Sequence, residues 1–171
     1  NVELVRDSSG NPLHVQSIAR DITARKEAET QIRLQTTALK AAANAIVITD
    51  RDAIIQWANP AYAQLTGYTL DEALGKNPHD LLYSGQQNAA FYKQLWDTIL
   101  SGNIWHGKLI NRRKDGSLYT EEQTITPVYD DNGTICHFVA IKQDITEREQ
   151  ATEELQASEL RYRSTFENNL A

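Results

Sequence analysis

The stretch that decides the fold of this chain is NRRKDGSLYTEEQTITPVYDDNG, at positions 111–133. It contains two turn sequences, Asp-Gly at 115–116 and Asp-Asn-Gly at 131–133, of the kind that join antiparallel strands. The residues around these turns predict three strands, Trp105–Arg112, Ser117–Val128 and Ile135–Gln143. Three strands joined by tight turns indicate an antiparallel sheet.

Residues upstream of this stretch predict a hairpin followed by helices. Two short apolar runs, AIVITD (45–50) and IIQWAN (54–59), flank an Arg-Asp turn, which is typical of a β-hairpin. Asn59 can cap a helix that begins at Pro60 and stops at Gly67. Two strands, a group of helices and three strands predict an α+β fold, in which helices cover one face of a five-stranded antiparallel sheet.

Two more helices are predicted before the last three strands. TLDEALGKN (69–77) has Thr69 as its cap and Glu72 as the partner in a capping box. NAAFYKQLWDTILSG (88–102) is the longest helix of the group, and Gly102 ends it. Its apolar face is predicted to consist of Phe91, Leu95, Ile99 and Leu100.

An internal repeat defines the domain organisation. VRDSSGNPLHVQSIARDITAR (5–25) returns 123 residues later as VYDDNGTICHFVAIKQDITER (128–148), with nine identical positions. Each copy is followed by a helical pattern for which Thr23 or Thr146 can act as the cap. In each helix, the residues predicted to form the contact seam have the heptad spacing of a short coiled coil. The alternative to a coiled coil is a helix that docks on its own domain. The seam positions are 28, 32, 35 and 39 in the first helix, and 151, 155, 158 and 162 in the second.

We therefore expect five segments in the chain. The first copy of the repeat lacks a preceding half-unit, and the chain begins with Asn rather than Met, so we expect a piece of a longer protein. The predicted segments are the tail of an upstream domain (1–23), a linker helix (24–43), one complete domain (44–146), a second linker helix (147–165) and the start of a further domain (166–171).

Composition excludes several classes of function. The net charge is −6, so the cluster Arg112–Lys114 is isolated in an acidic chain, whereas nucleic-acid binding needs a broader basic surface. We expect these three cations to serve solubility only. Cys136 is the sole cysteine, which rules out an intrachain disulfide and a cysteine zinc site. The sequence shows no signal peptide and no apolar run long enough to span a bilayer, so a cytoplasmic location without membrane contact is expected.

Three stretches, in this order and spacing, resemble the PAS sensory family. They are AIVITDRDAIIQWANPAYAQLTGYTLDEALGKNPHDLLYSG, NRRKDGSLYTEEQTITPVYDDNG and AIKQDIT. The resemblance covers Ala45–Thr146 as a full domain and, in part, the segments on either side. It implies a five-stranded antiparallel sheet that cups a pocket beneath its helices. It also implies a sensor of ligands, redox state, oxygen or light that signals through coiled-coil linkers to an effector.

Strand alternation and the resemblance together indicate which residues face the pocket. Stretches similar to IWHGKLINRRKDG occur in the flavin-binding PAS domains of bacterial redox regulators and aerotaxis receptors. Carried over, Trp105 flanks the ring system and Asn111 hydrogen-bonds it. The predicted cofactor-binding residues are Trp105, Leu109, Asn111, Glu121, Gln123 and Ile125. FAD is a possible cofactor, and the alternatives are a small ligand in the pocket or a cofactor-free module for dimerisation and signal relay.

Two other chemistries of the family do not match this sequence. The light-sensing flavin branch forms an adduct with a cysteine where this chain has Pro78, and it uses an amide where this chain has Lys142. Haem needs an axial histidine in the pocket. Of the four histidines, at 14, 79, 106 and 137, none is expected to be a ligand, because one belongs to the truncated unit and the others are expected at the surface or pointing outward. No metal-ligand spacing occurs.

The resemblance also assigns a route for the signal. Asp144, Ile145 and Thr146 correspond to the residues that join the last strand to the output helix, and they are the predicted relay. We expect a homodimer through the linker helices, next to further PAS and effector domains. The fragment contains no G-x-S-x-G elbow and no phosphate loop, so we expect no catalysis within it. A two-component histidine kinase or a diguanylate cyclase domain fits only outside these 171 residues.

Overall fold

The computed structural model describes residues 2–17 and 21–168, in two compact units that divide after Ala38. The first unit contains an antiparallel hairpin of strands β1 (Val2–Arg6) and β2 (Pro12–Ser17), then most of helix α1 (Thr23–Ala41). The Asp7 carboxylate organises the hairpin turn, because it accepts hydrogen bonds from the backbone N–H groups at positions 9 and 11.

The second unit is built on a five-stranded antiparallel sheet, which confirms the predicted α+β fold. Its order across the sheet is β4-β3-β7-β6-β5, so the last strand in the chain is the central one. Each strand lies within one residue of its predicted bounds. The strands are β3 (Ala45–Asp50), β4 (Ile55–Ala58), β5 (Trp105–Arg112), β6 (Leu118–Tyr129) and β7 (Ile135–Asp144).

Capping residues fix where the helices of this unit begin, although the helix predicted over 69–77 extends only from Leu70 to Ala73. The Asn59 side chain accepts a hydrogen bond from the Tyr62 N–H, and Gly67 ends that helix in the left-handed conformation at φ 77°. Thr69 and Glu72 form the predicted capping box. The helices of this unit are α2 (Pro60–Thr66), α3 (Leu70–Ala73), α4 (Pro78–Leu82), α5 (Ala89–Leu100) and α6 (Thr146–Asn168).

Asn59 also ties the start of the domain together. It is fully buried, and its Oδ1 accepts from the backbone N–H of Ile46 at 2.9 Å. Its Nδ2 donates to the carbonyl groups of Leu39 and Asn44, at 3.2 and 2.9 Å. One amide therefore joins the segment that enters the domain to β3 and to the first turn of α2.

The prediction for the apolar face of α5 is wrong at one residue, Leu100. Leu95 and Ile99 are buried, but Leu100 is 49% exposed, because it lies one residue, or about 100° around the helix, beyond Ile99. Trp96 packs on the core instead, edge-on to Phe138 with ring centroids 6.2 Å apart.

The two long helices expose apolar side chains. No described residue of α1 is buried, and Ile32 and Leu39 are exposed. In α6, Leu155, Leu160 and Tyr162 are exposed. Two ion pairs hold the first turn of α6 to the sheet. Lys108 contacts Glu149, and Glu122 contacts Arg148.

Candidate functional site

A cavity of about 530 Å³ lies between the inner face of the sheet and helices α4 and α5. Its volume falls in the range of small-molecule sites in proteins. The surface of its walls is mainly apolar, and polar side chains interrupt it. The apolar wall includes Val47, Leu82, Leu95, Trp96, Ile99, Leu109, Ile125 and Phe138.

Four of the six residues predicted to bind a cofactor line this cavity, and two do not. Leu109 and Asn111 reach it from β5, and Gln123 and Ile125 reach it from β6. All four side chains point to the inner face of the sheet, because side chains on one face of a strand recur every second residue. The two that do not line the cavity are Trp105 and Glu121.

Trp105 is part of the core beside the cavity. It is 4% exposed and meets Phe91 edge-on, with ring centroids 5.8 Å apart. Its indole also covers Gly107, where an added Cβ would lie 2.6 Å from the ring. Gly107 therefore allows the indole to lie along its own strand, and the tryptophan packs against α5.

Glu121 lies behind the polar end of the cavity, in a buried ion pair with Lys142. The glutamate is fully buried and the lysine is 3% exposed. The Lys142 Nζ donates to Glu121 Oε1 at 2.7 Å and to Gln123 Oε1 at 3.4 Å. The Tyr119 hydroxyl donates to the other carboxylate oxygen at 3.1 Å. Lys142 itself lines the cavity, so the cationic member of the pair is the one that reaches the cavity wall.

The charge of Glu121 affects the ionisation of two buried tyrosines, Tyr62 and Tyr119. Burial, and then the negative charge of Glu121, raise the pKa of Tyr119 and of Tyr62 well above the ordinary value. An interaction with the Asn111 side chain opposes the rise in the pKa of Tyr119. Asn111 thus connects the cavity wall to the charged network.

The rim of the cavity carries an aromatic cluster. His79 packs on Tyr83 and Tyr92, with ring centroids 4.6 and 4.9 Å apart, and all three line the cavity. His79 is exposed, as expected from the sequence, but it also forms part of the rim. His106 lies on the outer face of the sheet and contacts Thr124, so its predicted orientation is confirmed.

The predicted relay residues form a compact junction at the start of α6. Asp144 Oδ1 accepts hydrogen bonds from the N–H and the hydroxyl of Thr146, at 2.9 and 2.6 Å. Ile145 is 1% exposed, and its N–H donates to the Thr120 carbonyl at 2.9 Å. The expectation that Thr146 caps the helix with its hydroxyl is wrong. Asp144 fills that role, and the hydroxyl accepts from the N–H of Thr120 in β6 instead.

Arg113 connects this junction to the charged network, contrary to the expectation that the basic cluster serves solubility only. Its guanidinium lies 4.3 Å from the centroid of the Tyr119 ring and forms an ion pair with Asp144. It also donates to the Leu65 carbonyl of α2. Its neighbour Lys114 pairs with the exposed Glu72 at 2.6 Å. These contacts depend on the position of Arg113 over the Tyr119 ring, next to the turn at 115–116. The sequence alone does not indicate that position.

Comparison with known proteins places this arrangement in a family. A profile of the PAS fold matches residues 34–145, a span that includes the whole sheet and every residue of the cavity wall. The chain belongs to the PAS family. PAS domains of this kind occur in regulatory and sensory proteins, as the relatives below illustrate.

Two curated relatives and one solved structure show the level of similarity. The chain is 42% identical over 110 residues to a nitrogen fixation regulatory protein of Klebsiella oxytoca, covering 64% of this chain and 22% of the relative. It is 32% identical over 106 residues to the aerotaxis receptor of Escherichia coli K12, covering 62% and 21%. An RNA-binding light-oxygen-voltage receptor shares the fold at a TM-score of 0.68 and 25% identity, over 86% of this chain and 43% of the receptor. The matched region thus spans about a fifth of the length of these two curated relatives.

Within residues 2–17 and 21–168, no helix combines the length and apolar character needed to cross a membrane. The same residues contain no group of three or more His, Cys, Asp or Glu side chains placed to hold a metal ion.

Proposed function

We propose that this PAS domain binds a flavin in its cavity and reports the redox state of that flavin to a downstream effector. The observation that carries the proposal is the cavity itself. Apolar walls surround about 530 Å³, and the polar groups that line it include Asn111, Gln123 and Lys142 on adjacent strands of the sheet. Ligand sites of this size combine a largely apolar lining with a few polar groups that fix orientation.

The donor set at the polar end fits a flavin. The polar edge of an isoalloxazine presents both acceptors and a donor, and an amide side chain offers both as well. Asn111 and Gln123 would hold that edge, while Leu109 and Ile125 pack on the faces of the ring. A bound flavin supplies a redox centre whose charge and hydrogen bonding change on reduction. The residues of this chain orient it and exclude water from it.

Light-driven adduct formation is not part of the proposal. Pro78 lines the cavity at the start of α4, at the position where the light-sensing branch has its cysteine. The sole cysteine, Cys136, lies on β7, and its thiol contacts the Val128 carbonyl at 3.4 Å. The similarity to a light-oxygen-voltage receptor therefore supports the fold and the pocket rather than the photochemistry.

The proposed output runs along β7 into α6. Lys142 contacts the cavity, and two residues later Asp144 caps the helix through its bonds to Thr146. Arg113 provides a second connection, since it contacts both Tyr119 and Asp144. A change in charge at the cavity thus has two short routes to the first turn of the output helix.

Beyond the domain, we propose a homodimer formed through the linker helices. Leu155 and Tyr162 lie on the predicted seam and are exposed in the single chain, as are Ile32 and Leu39 of α1. Exposed apolar residues at heptad spacing favour helix pairing. Neighbouring PAS units and an effector such as a histidine kinase or a diguanylate cyclase would complete the signalling protein, in a cytoplasmic setting.

Reconstitution with FAD tests the flavin proposal. The purified chain, incubated with FAD and desalted, should retain the near-ultraviolet and blue absorbance bands of an oxidised flavin. Asn111→Ala should weaken retention roughly 5- to 150-fold, because one unpaired polar edge costs about 1–3 kcal/mol. Asn103→Ala, which removes an exposed amide outside the cavity, is the control and should not change retention. A wild-type chain that never retains FAD would reject the flavin and favour the cofactor-free module.

A further inference from the structure

We infer that Lys142 makes the cavity selective for ligands that carry, or acquire, negative charge at the end that faces the sheet. The inference rests on the proposed function in so far as it needs a ligand in the cavity, but it does not require that ligand to be a flavin.

The two charges of the pair lie at different distances from the cavity. Lys142 lines the cavity, whereas Glu121 does not and is fully buried behind it. A ligand therefore meets the ammonium group before it meets the carboxylate. Although the pair is neutral as a whole, its positive end faces the ligand.

Hydrogen bonding leaves the ammonium group able to bind a ligand. A lysine ammonium has three donors, and the described residues provide two acceptors for it, Glu121 Oε1 at 2.7 Å and Gln123 Oε1 at 3.4 Å. One donor therefore remains for an acceptor atom in the cavity. The carboxylate is held from the other side by Tyr119, so it is kept in place while the lysine contacts the ligand.

The surroundings strengthen the effect of this charge. Lys142 is the only Lys, Arg, Asp or Glu among the lining residues, and the titratable groups that share the wall with it are His79, Tyr83 and Tyr92 at the rim. In a largely apolar cavity, a buried charge interacts more strongly with its neighbours than it does at an open surface. Anionic and neutral forms of one ligand should therefore bind with clearly different affinity.

Two fluorescent probes test the selectivity without assuming a flavin. 8-Anilinonaphthalene-1-sulfonate and N-phenyl-1-naphthylamine share one ring system and differ by the sulfonate group. Titration of the whole 171-residue chain with each gives a ratio of affinities, anion over neutral. In the double variant E121Q/K142Q this ratio should fall at least tenfold, while the affinity for the neutral probe stays within about threefold.

The double variant is preferred because it removes both charges together. Removing one member of a buried ion pair leaves the other unpaired and is strongly destabilising, whereas two glutamines can hydrogen-bond to each other. K108Q/E149Q is the matched control, since it makes the same two changes in an exposed pair, with an N–O distance of 2.8 Å, on the outer face of the sheet. That control should leave the ratio unchanged.

A charge exchange provides the second variant. In E121K/K142E the pair keeps its neutrality but directs its carboxylate to the cavity, so the ratio should fall below that of E121Q/K142Q. An unchanged ratio in both variants, an equal fall for both probes, or a wild-type chain that binds neither probe would each overturn the inference. If the wild type discriminates between the probes but does not retain FAD, the flavin proposal fails and the role of Lys142 stands.

Where FAD is retained, a second readout is available. The loss of a tenfold preference for the charged reduced form lowers the midpoint potential of a two-electron couple by about 30 mV. E121Q/K142Q should show a shift of at least this size relative to K108Q/E149Q. A midpoint potential that stays constant while FAD remains bound would contradict the inference.

Discussion

Removal of one hydroxyl group from each of two buried tyrosines should change the stability of the domain in opposite directions. Tyr62 and Tyr119 are 0% and 1% exposed. The Tyr62 hydroxyl has no hydrogen-bond partner among the described residues, whereas the Tyr119 hydroxyl donates to the Glu121 carboxylate at 3.1 Å. Replacement by phenylalanine makes the same chemical change at both positions.

The magnitudes follow from the partners. A buried hydroxyl without a partner costs about 1–3 kcal/mol, so Tyr62→Phe should raise the free energy of unfolding by about 1 kcal/mol or more. A hydrogen bond to a charged group is worth about 1.5–3 kcal/mol, so Tyr119→Phe should lower it by that amount. For a chain of this size, 1 kcal/mol corresponds to about 2–4 °C in Tm.

Urea unfolding followed by circular dichroism measures both changes, and alkaline pH gives an independent check. The pKa of each tyrosine is raised by burial and by Glu121. The free energy of unfolding that each tyrosine contributes is therefore fully present below about pH 10, the pKa of an unfolded tyrosine. It is lost as the pH rises above that value. Each variant should lose less stability than the wild type between pH of about 9 and 11. A Tyr62→Phe chain destabilised by about 1 kcal/mol would refute the reasoning, because it would show that the hydroxyl is bonded.

Three further results are expected from the core, the junction and the linker. Gly107→Ala should destabilise the domain by about 1–3 kcal/mol in urea unfolding, because the new Cβ would lie 2.6 Å from the Trp105 indole; an unchanged midpoint would show that the ring relocates freely. Partial burial raises the pKa of Asp144, but hydrogen bonds from Thr146 and its ion pair outweigh this and hold the value below the ordinary range. The stability linked to this carboxylate is therefore complete above about pH 4 and is lost below it, so amide exchange at the start of α6 should quicken there, and Asp144→Asn should remove that pH dependence. Leu155→Asp should split the proposed dimer in sedimentation experiments, because it places a carboxylate from each chain in the seam; a monomeric wild type would contradict the dimer.

The parts of the fold that local chemistry specifies were predictable from the sequence. Asn59 before Pro60, the capping box at 69–72 and the glycine turns each act over a few residues, and each is found where it was predicted. The prediction is wrong for Leu100 because this apolar residue lies at the edge of the apolar face of α5. Only the packed structure shows that the side chain at this edge points away from the core.

The charged network was not predictable, because it depends on contacts between residues far apart in the chain. Glu121 and Lys142 are 21 residues apart, and Arg113 meets Asp144 over 31 residues. From the sequence, Lys142 was only a departure from the light-sensing pattern, and Glu121 was a polar group on the expected face. Their pairing follows from the register of β6 against β7, in which Gln123 lies opposite Lys142.

That register also places the proposed ligand contact and the proposed output on one strand. Because β7 is the central strand, its inward side chains Phe138, Ala140 and Lys142 reach the cavity. The same strand ends at Asp144, and α6 begins at Thr146. Because one residue separates the strand from the helix, there is no loop between them to absorb a displacement. Ile145 is buried and bonded to β6 between them. In the proposed relay, a shift of the lysine toward an anionic ligand would therefore be passed to the first turn of α6, which ion pairs hold to the sheet.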